Sequence, residues 1–229
     1  MKIAYINPAK IFYNDGGGIG SRRLFLPLKK EENVLLISSD INADLKLKKN
    51  KVKDVLCRFL GQPNYIFFEK KRIILFLKQN NIKKIILDGS RMGFLAKEIK
   101  KEIPDAIVIT NFHNIEYDFL EAYALKYKGI IKNIFIFLEK KAVYPSEKES
   151  IKYSDKLVFL TKRDLERAKE LYKFSKEKKY EVIPILLNRD AIQLKKVNDY
   201  TINLVFTGTL SFGSNIHALK WFLENIWNN

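Results

Sequence analysis

Apolar residues along this chain fall in short β-branched blocks, and a stretch with helical apolar spacing follows most of them. The blocks Lys2–Asn7, Asn33–Ser38, Lys84–Asp88, Ala106–Thr110, Lys156–Leu160 and Tyr180–Ile183 predict strands. The periodic stretches predict helices over Ile19–Lys30, Leu45–Leu60, Ile66–Gln79, Arg91–Lys101, Glu116–Tyr127, Gly129–Val143 and Thr161–Tyr172. Pro145 is expected to end or kink the sixth of these, because proline lacks an N–H and its ring crowds the preceding turn. Strands such as Val34-Leu-Leu-Ile37 and Ile107-Val-Ile109 are apolar without alternation, as in parallel strands covered on both faces. The expected fold class is therefore α/β: a doubly wound, mostly parallel sheet. Ligands on such sheets lie beyond the carboxyl ends of the strands. Function is to be sought in the loops Pro8–Gly18, Ser38–Asn42, Asp88–Arg91, Asn111–Tyr117 and Leu160–Arg163.

The last thirty residues begin a second pattern. Asn203–Leu210 reads as a buried strand entering a glycine turn, and Asn215–Trp227 as a helix. Ile216, Leu219, Phe222, Leu223, Ile226 and Trp227 form one stripe of that helix. One strand and one helix cannot bury that much apolar surface against each other. The expectation is a first domain over residues 1–185, a polar linker over 186–200 and the first βα unit of an incomplete second domain over 201–229. The strand's unpaired edges would need cover from the first domain, a second copy in a homodimer, or a partner.

Composition narrows the class. With 47% hydrophobic and 13% aromatic residues the chain can fill a core. Cys57 is the single cysteine, which excludes an intramolecular disulfide and a cysteine metal cluster, and the only histidines are His113 and His217. No apolar run approaches the roughly 20 residues of a membrane span, so a cytoplasmic location is expected. The formal net charge is +16, and lysine supplies 34 of the 42 cations. Arginine and aromatic clusters of the kind that read nucleic acid are absent, so nucleic acid is not an expected partner. A solvated lysine-rich surface, an anionic membrane surface or a phosphate-bearing substrate remain as explanations. The stretch Tyr123–Lys141 mixes apolar, aromatic and lysine residues, and either packs in the core or rests on a bilayer.

Four segments carry candidate chemistry. In Asn14-Asp-Gly-Gly-Gly-Ile-Gly-Ser-Arg-Arg23, Gly16, Gly17 and Gly18 expose backbone N–H groups at a helix start, which suits a phosphate or a sugar hydroxyl. The segment is no P-loop, since Gly-Lys-Ser/Thr does not follow. It departs from a dinucleotide fingerprint too: eight residues separate the strand from the glycines, and no third glycine follows Gly20 at the required spacing. Asp40 nevertheless stands where a ribose-binding acid would fall. The segment Thr110-Asn-Phe-His-Asn-Ile-Glu-Tyr117 sets His113, Asn114 and Glu116 directly after an apolar strand. A histidine there can bond a sugar hydroxyl, donate to a carbonyl or shuttle a proton. In Leu157–Asp164, Thr161 and Lys162 stand where a strand meets a helix, and Thr161 serves either as a cap or as a ligand contact. In Phe206–Asn215, Gly208 is a candidate hinge-side contact. His217 reads as a surface or capping residue, and Cys57 as a packing residue.

Taken in order, these segments resemble the GT-B glycosyltransferases of the group-1, family-4 type. The residues that carry the resemblance are Gly16-Gly-Gly18, Phe112-His-Asn-Ile-Glu-Tyr117, Asp155-Lys-Leu-Val-Phe-Leu-Thr161, Val182-Ile-Pro184 and Leu204–Leu210 with the Asn215–Trp227 helix. The resemblance implies a Rossmann-like amino-terminal domain that holds the acceptor and a carboxy-terminal domain that holds most of a nucleotide-sugar. It implies hexosyl transfer, usually with retention, in bacterial capsule or lipopolysaccharide synthesis. No cofactor and no metal are implied; the nucleotide-sugar is a co-substrate. His113 would sit beside the transferred sugar, Gly17 and Gly18 would approach the donor, and Gly208 would open the donor half. Two departures stand out. Pro184 is followed by Ile-Leu-Leu-Asn188 in place of the family's usual turn, and the family's basic pair and paired glutamates are not in this sequence. The chain by itself is therefore expected to be inactive or nearly so. A glycan or lipid-linked acceptor is the expected second substrate, with a peripheral place on the inner face of the plasma membrane. Two alternatives stay open: a non-catalytic subunit of a split glycosyltransferase completed by a donor-domain partner, and a nucleotide-cofactor oxidoreductase domain.

Overall fold

The computed structural model describes residues 2–13, 16–126, 129–175, 177–184, 204–208, 210 and 213–227. Two compact units are present, Met1–Leu186 and Leu187–Asn229.

The first unit is built on a seven-stranded sheet: β1 (Lys2–Ile6), β2 (Asn33–Ser38), β3 (Leu45–Lys46), β4 (Lys84–Asp88), β5 (Ile107–Phe112), β6 (Lys156–Phe159) and β7 (Lys179–Val182). The spatial order is β3-β2-β1-β4-β5-β6-β7, and every pairing is parallel. Its helices are α1 (Gly16–Glu31), α2 (Lys51–Phe59), α3 (Ile66–Gln79), α4 (Gly93–Glu102), α5 (Glu116–Lys126), α6 (Ile130–Tyr153) and α7 (Lys162–Tyr172).

Side chains alternate between the two faces of the sheet. Ala4, Ile6, Ile37, Ile85, Leu87 and Val108 pack with Ile66, Ile73 and Leu77 of α3 and with Leu95 and Ile99 of α4. On the other face Ile3, Tyr5, Val34, Leu36 and Ile86 pack with Phe25 of α1. A third cluster joins Phe112, Leu157 and Phe159 to Ile151 of α6 and to Leu165, Ala168 and Tyr172 of α7. The expected α/β sheet, covered on both faces, is what the chain forms.

Three elements differ from expectation. Leu45 and Leu47 do not start a helix: Leu45–Lys46 pairs with Ile37 and Ser38, and Leu47 is buried beside it. Helix α2 begins only at Lys51, where the Asn50 side chain accepts a hydrogen bond from the Val52 N–H at 2.8 Å. The glycine run is not a loop before α1 but its first turn. Helix α6 continues through Pro145 to Tyr153. Its buried residues Ala142, Val143, Ser146, Glu147 and Ser150 lie around the proline and hold the helix in place. A β-carbon on Gly93 would collide with the Ser146 carbonyl oxygen, so α4 and α6 meet at backbone contact. That packing outweighs the one hydrogen bond proline removes.

In the second unit, helix α8 (Gly213–Phe222) forms and runs into a wider turn over Leu223–Trp227. Leu204–Thr207, within the expected strand, are exposed and outside any sheet. Of the expected apolar stripe, Ile216, Leu223, Ile226 and Trp227 are exposed. The linker expected over 186–200 lies outside the described residues.

Candidate functional site

Strand β1 pairs with β2 on one side and β4 on the other, so the chain order reverses at β1. The loops after β1 and β4 part there and open a crevice at the carboxyl end of the sheet. A cleft of about 670 Å³ occupies this place in the first unit.

The floor of the cleft is a network around Asp88, the last residue of β4. Parallel register sets Asp88 beside Asn111 of β5. Asp88 Oδ1 accepts from Asn111 Nδ2 at 2.8 Å and faces His113 Nε2 at 2.6 Å. Asp88 Oδ2 accepts from Asn7 Nδ2 at 2.6 Å. Asn7 also donates to Ser21 Oγ at 3.0 Å, and the Tyr5 hydroxyl donates to the Ser21 carbonyl at 3.3 Å. Residues from β1, α1, β4 and β5 are thereby joined at one carboxylate.

The electrostatics follow from this geometry. Burial alone would push the Asp88 carboxyl up, but the His113 hydrogen bond and charge, with help from Ser21 and Tyr5, hold it down at about 2. Burial likewise pulls His113 down, and the Asp88 hydrogen bond with the charges of Asp88 and Glu116 outweighs it, so the imidazole titrates above its ordinary value. The Tyr5 phenol is pushed up by burial and by Asp88, and stays neutral. With Nε2 turned to Asp88, the second ring nitrogen faces α1: a β-carbon on Gly20 would stand 3.9 Å from His113 Nδ1.

The opposite wall is the start of α1. Gly16, Gly17, Gly18 and Gly20 line the cleft, and the first turn of α1 holds no acidic residue. A β-carbon on Gly18 would collide with the Tyr13 carbonyl oxygen, so only glycine fits there. The loop between β1 and α1 is pinned from below. Asp40 accepts from the N–H groups of Ile11 at 2.8 Å and Phe12 at 3.2 Å. Arg22 Nη1 donates to the carbonyls of Ile11 and Tyr13, each at 2.8 Å. The Tyr65 hydroxyl donates to the Pro8 carbonyl at 2.6 Å. Asp40 also accepts from Ser38 Oγ at 2.7 Å, is buried and does not line the cleft.

The rim carries a chain of ion pairs. Arg91 holds Glu116 through Nε at 2.8 Å and Nη2 at 2.7 Å. Asn114 Nδ2 donates to the other Glu116 oxygen at 3.0 Å. Arg58 reaches Glu139 at 2.5 Å, and Arg91 lies 3.4 Å from the same carboxylate. Below Glu116, the buried Glu147 accepts the first N–H groups of α5, from Glu116 at 3.0 Å and Tyr117 at 3.1 Å, and the Tyr172 hydroxyl at 2.5 Å. Burial raises its pKa despite those bonds. Arg23 and Lys49 add exposed cations to the lining. Asn111 Oδ1 is buried at the cleft and has no hydrogen-bond partner among the described residues.

Of the residues singled out from sequence, His113, Asn114, Glu116, Gly16, Gly17 and Gly18 come together around this cleft. Thr161 and Lys162 do not line it; Leu160 does. The Thr161 hydroxyl caps α7 instead, accepting from the Asp164 N–H at 3.0 Å and donating to its carboxylate at 2.7 Å. Gly208 belongs to the second unit. Sequence reasoning missed Asn7, Asp88, Ser21 and Arg91 as individual residues. The available signal was a polar residue at the carboxyl end of two adjacent apolar strands, at Asn7 and Asp88. Among the described residues no group of three His, Cys, Asp or Glu side chains is placed to hold a metal ion. No helix among them is long and apolar enough to cross a membrane.

No protein-family model matches the chain, and no curated protein matches its sequence. Among solved structures the chain is similar to sucrose-phosphate synthase from Thermosynechococcus elongatus, with a TM-score of 0.55 at 13% identity. The match covers 80% of this chain and 48% of that one, so this chain spans about half the length of the structure it matches. The likeness establishes a shared α/β Rossmann-like fold.

Proposed function

We propose that the first unit is the acceptor-side domain of a nucleotide-sugar-dependent glycosyltransferase of bacterial surface polysaccharide synthesis. The observation that carries this reading is the His113–Asp88 pair facing the glycine start of α1 across a switch-point cleft, on a fold shared with sucrose-phosphate synthase.

On this reading His113 is a donor rather than a base. Asp88 fixes Nε2–H, and the raised pKa widens the pH range over which Nδ1 also carries a proton and can donate it toward the cleft. That suits an oxygen of the transferred sugar or the negative charge that grows on a departing phosphate. Gly16, Gly17 and Gly18 line the same cleft at the start of α1, and a helix start favours the same charge. The partnerless Asn111 Oδ1 accepts from a sugar hydroxyl. Glu116, held by Arg91, and Asn114, which donates to Glu116, border the acceptor side. A glycan or lipid-linked acceptor near the inner face of the membrane fits the basic charge of +16. On this reading the nucleotide is held mainly by a donor domain. Thr161 and Lys162 do not line the first unit's cleft.

The test is transfer of radiolabel from UDP-glucose, UDP-galactose or GDP-mannose to a bacterial lipid extract, by a polypeptide carrying these residues together with a donor domain. Label should pass to the lipid fraction with wild-type sequence and fall by about a hundredfold with His113→Ala. Turnover unchanged in that variant removes His113 from the mechanism.

A further inference from the structure

Helix α2 turns its apolar side outward. Val52 is 66% exposed, Leu56 49%, Phe59 68% and Leu60 57%, and with Val55 they form one continuous stripe facing solvent. The inward side is polar and fixed by specific bonds. Asp54 Oδ1 accepts from the Tyr65 N–H at 3.1 Å, the buried Cys57 thiol donates to the Asn64 carbonyl at 3.0 Å, and Arg58 pairs with Glu139 of α6 at 2.5 Å. These contacts set the rotation of the helix, so the apolar stripe cannot turn inward without breaking them. Helix α6, which Arg58 meets at Glu139, also exposes Ile130 at 81% and Phe137 at 66%.

Charge selects the occupant of this face. Lys48, Lys49 and Lys51 are exposed at the amino-terminal end of α2, and none pairs with a carboxylate among the described residues. A second copy would bring another net charge of +16 against the first, which opposes self-association. An anionic lipid surface offers both complements at once: phosphate headgroups for the lysines and acyl chains for the apolar stripe. Lys49, Asp54 and Arg58 also line the cleft, so a membrane under α2 would lie beside its mouth.

We infer that the outer face of α2 docks this protein on anionic bilayers as a peripheral, non-spanning contact. The inference stands on this face and does not rest on the glycosyl-transfer reading. Flotation with vesicles of phosphatidylcholine alone, and of phosphatidylcholine with phosphatidylglycerol, tests it. The wild-type protein should float with the anionic vesicles and stay behind with the neutral ones. Leu56→Glu with Phe59→Glu, both at exposed positions, should cut recovery by about tenfold or more while far-ultraviolet circular dichroism stays unchanged. Lys48→Glu with Lys51→Glu should do the same without touching an apolar residue. Equal flotation of either variant and the wild type overturns the inference. So does a lipid-free dimer in light scattering that the Leu56→Glu, Phe59→Glu variant dissolves, since a second copy would then occupy the face.

Discussion

His113 Nε2 lies 2.6 Å from Asp88 Oδ1, and the Asp88 side chain has no exposed surface. A carboxylate so buried needs all its donors, and it has Asn7, Asn111 and His113. Asp88 therefore sets which ring nitrogen of His113 faces inward and raises the pKa of the ring. Asp88→Asn should bring the His113 titration, followed by proton NMR of the ring, down from its raised position. It should also cost about 3 kcal/mol in urea unfolding, since removing one member of a buried pair strands the other. A His113 titration that does not move with Asp88→Asn would separate the ring's protonation from this carboxylate.

The same pair sets a pH window. The folded Asp88 pKa is about 2, below its ordinary 3.8, so its contribution is present above 3.8 and is lost as pH falls toward 2. The folded His113 pKa lies above its ordinary 6.5, so its contribution is present below 6.5 and is lost as pH rises through the folded value. Both act together between about pH 4 and 6.5. The stability gap between wild type and His113→Gln, from urea midpoints across pH, should be widest in that interval, on the order of 2 kcal/mol, and narrow on both sides. A gap flat with pH would show that the two groups are not coupled.

How much of this was legible in the sequence depends on which contacts are local. Runs such as Val34-Leu-Leu-Ile37 are strands because nothing polar interrupts them, and the sheet followed from their alternation with helices. The glycine run and His113 were legible because they follow apolar runs. Asp88 was not, since its meaning comes from register: only pairing Asp88 with Asn111 puts it under a histidine that is 25 residues away. Leu45-Lys-Leu47 alternates with period two, a strand signal that merged into the helix behind it. Helix α2 was legible within the stretch Leu45–Leu60, but not which side it turns to the protein. That is decided by Asp54, Cys57 and Arg58 finding partners far along the chain or in the following loop.

The contact of α4 with α6 predicts a strong response to one methyl group. At Gly93 a β-carbon would meet the Ser146 carbonyl, the Ser150 N–H nitrogen and the Glu149 side chain. Two of these are backbone atoms and cannot swing away. Gly93→Ala should destabilise by about 3 kcal/mol, at the upper end of overpacking effects. In a scanning calorimeter this appears as a fall of roughly 6–12 °C in Tm. A shift under about 1 °C would show that the two helices slide apart at little cost.

The glycine run separates stability from function. A β-carbon on Gly18 would strike the Tyr13 carbonyl, with the Ile11 carbonyl 3.1 Å away, and the loop bearing both is held by Asp40 and Arg22. A β-carbon on Gly16 would meet nothing within 4 Å, yet Gly16 also lines the cleft. Gly18→Ala should therefore cost about 2 kcal/mol in urea unfolding. Gly16→Ala should stay within about 0.5 kcal/mol of wild type. If the start of α1 receives a ligand's charged group, Gly16→Ala should still weaken transfer in the radiolabel assay, because its methyl occupies space at the helix end. Intact stability with reduced transfer assigns the run to binding. Intact stability with unchanged transfer leaves Gly18 as a packing glycine and moves the ligand away from α1.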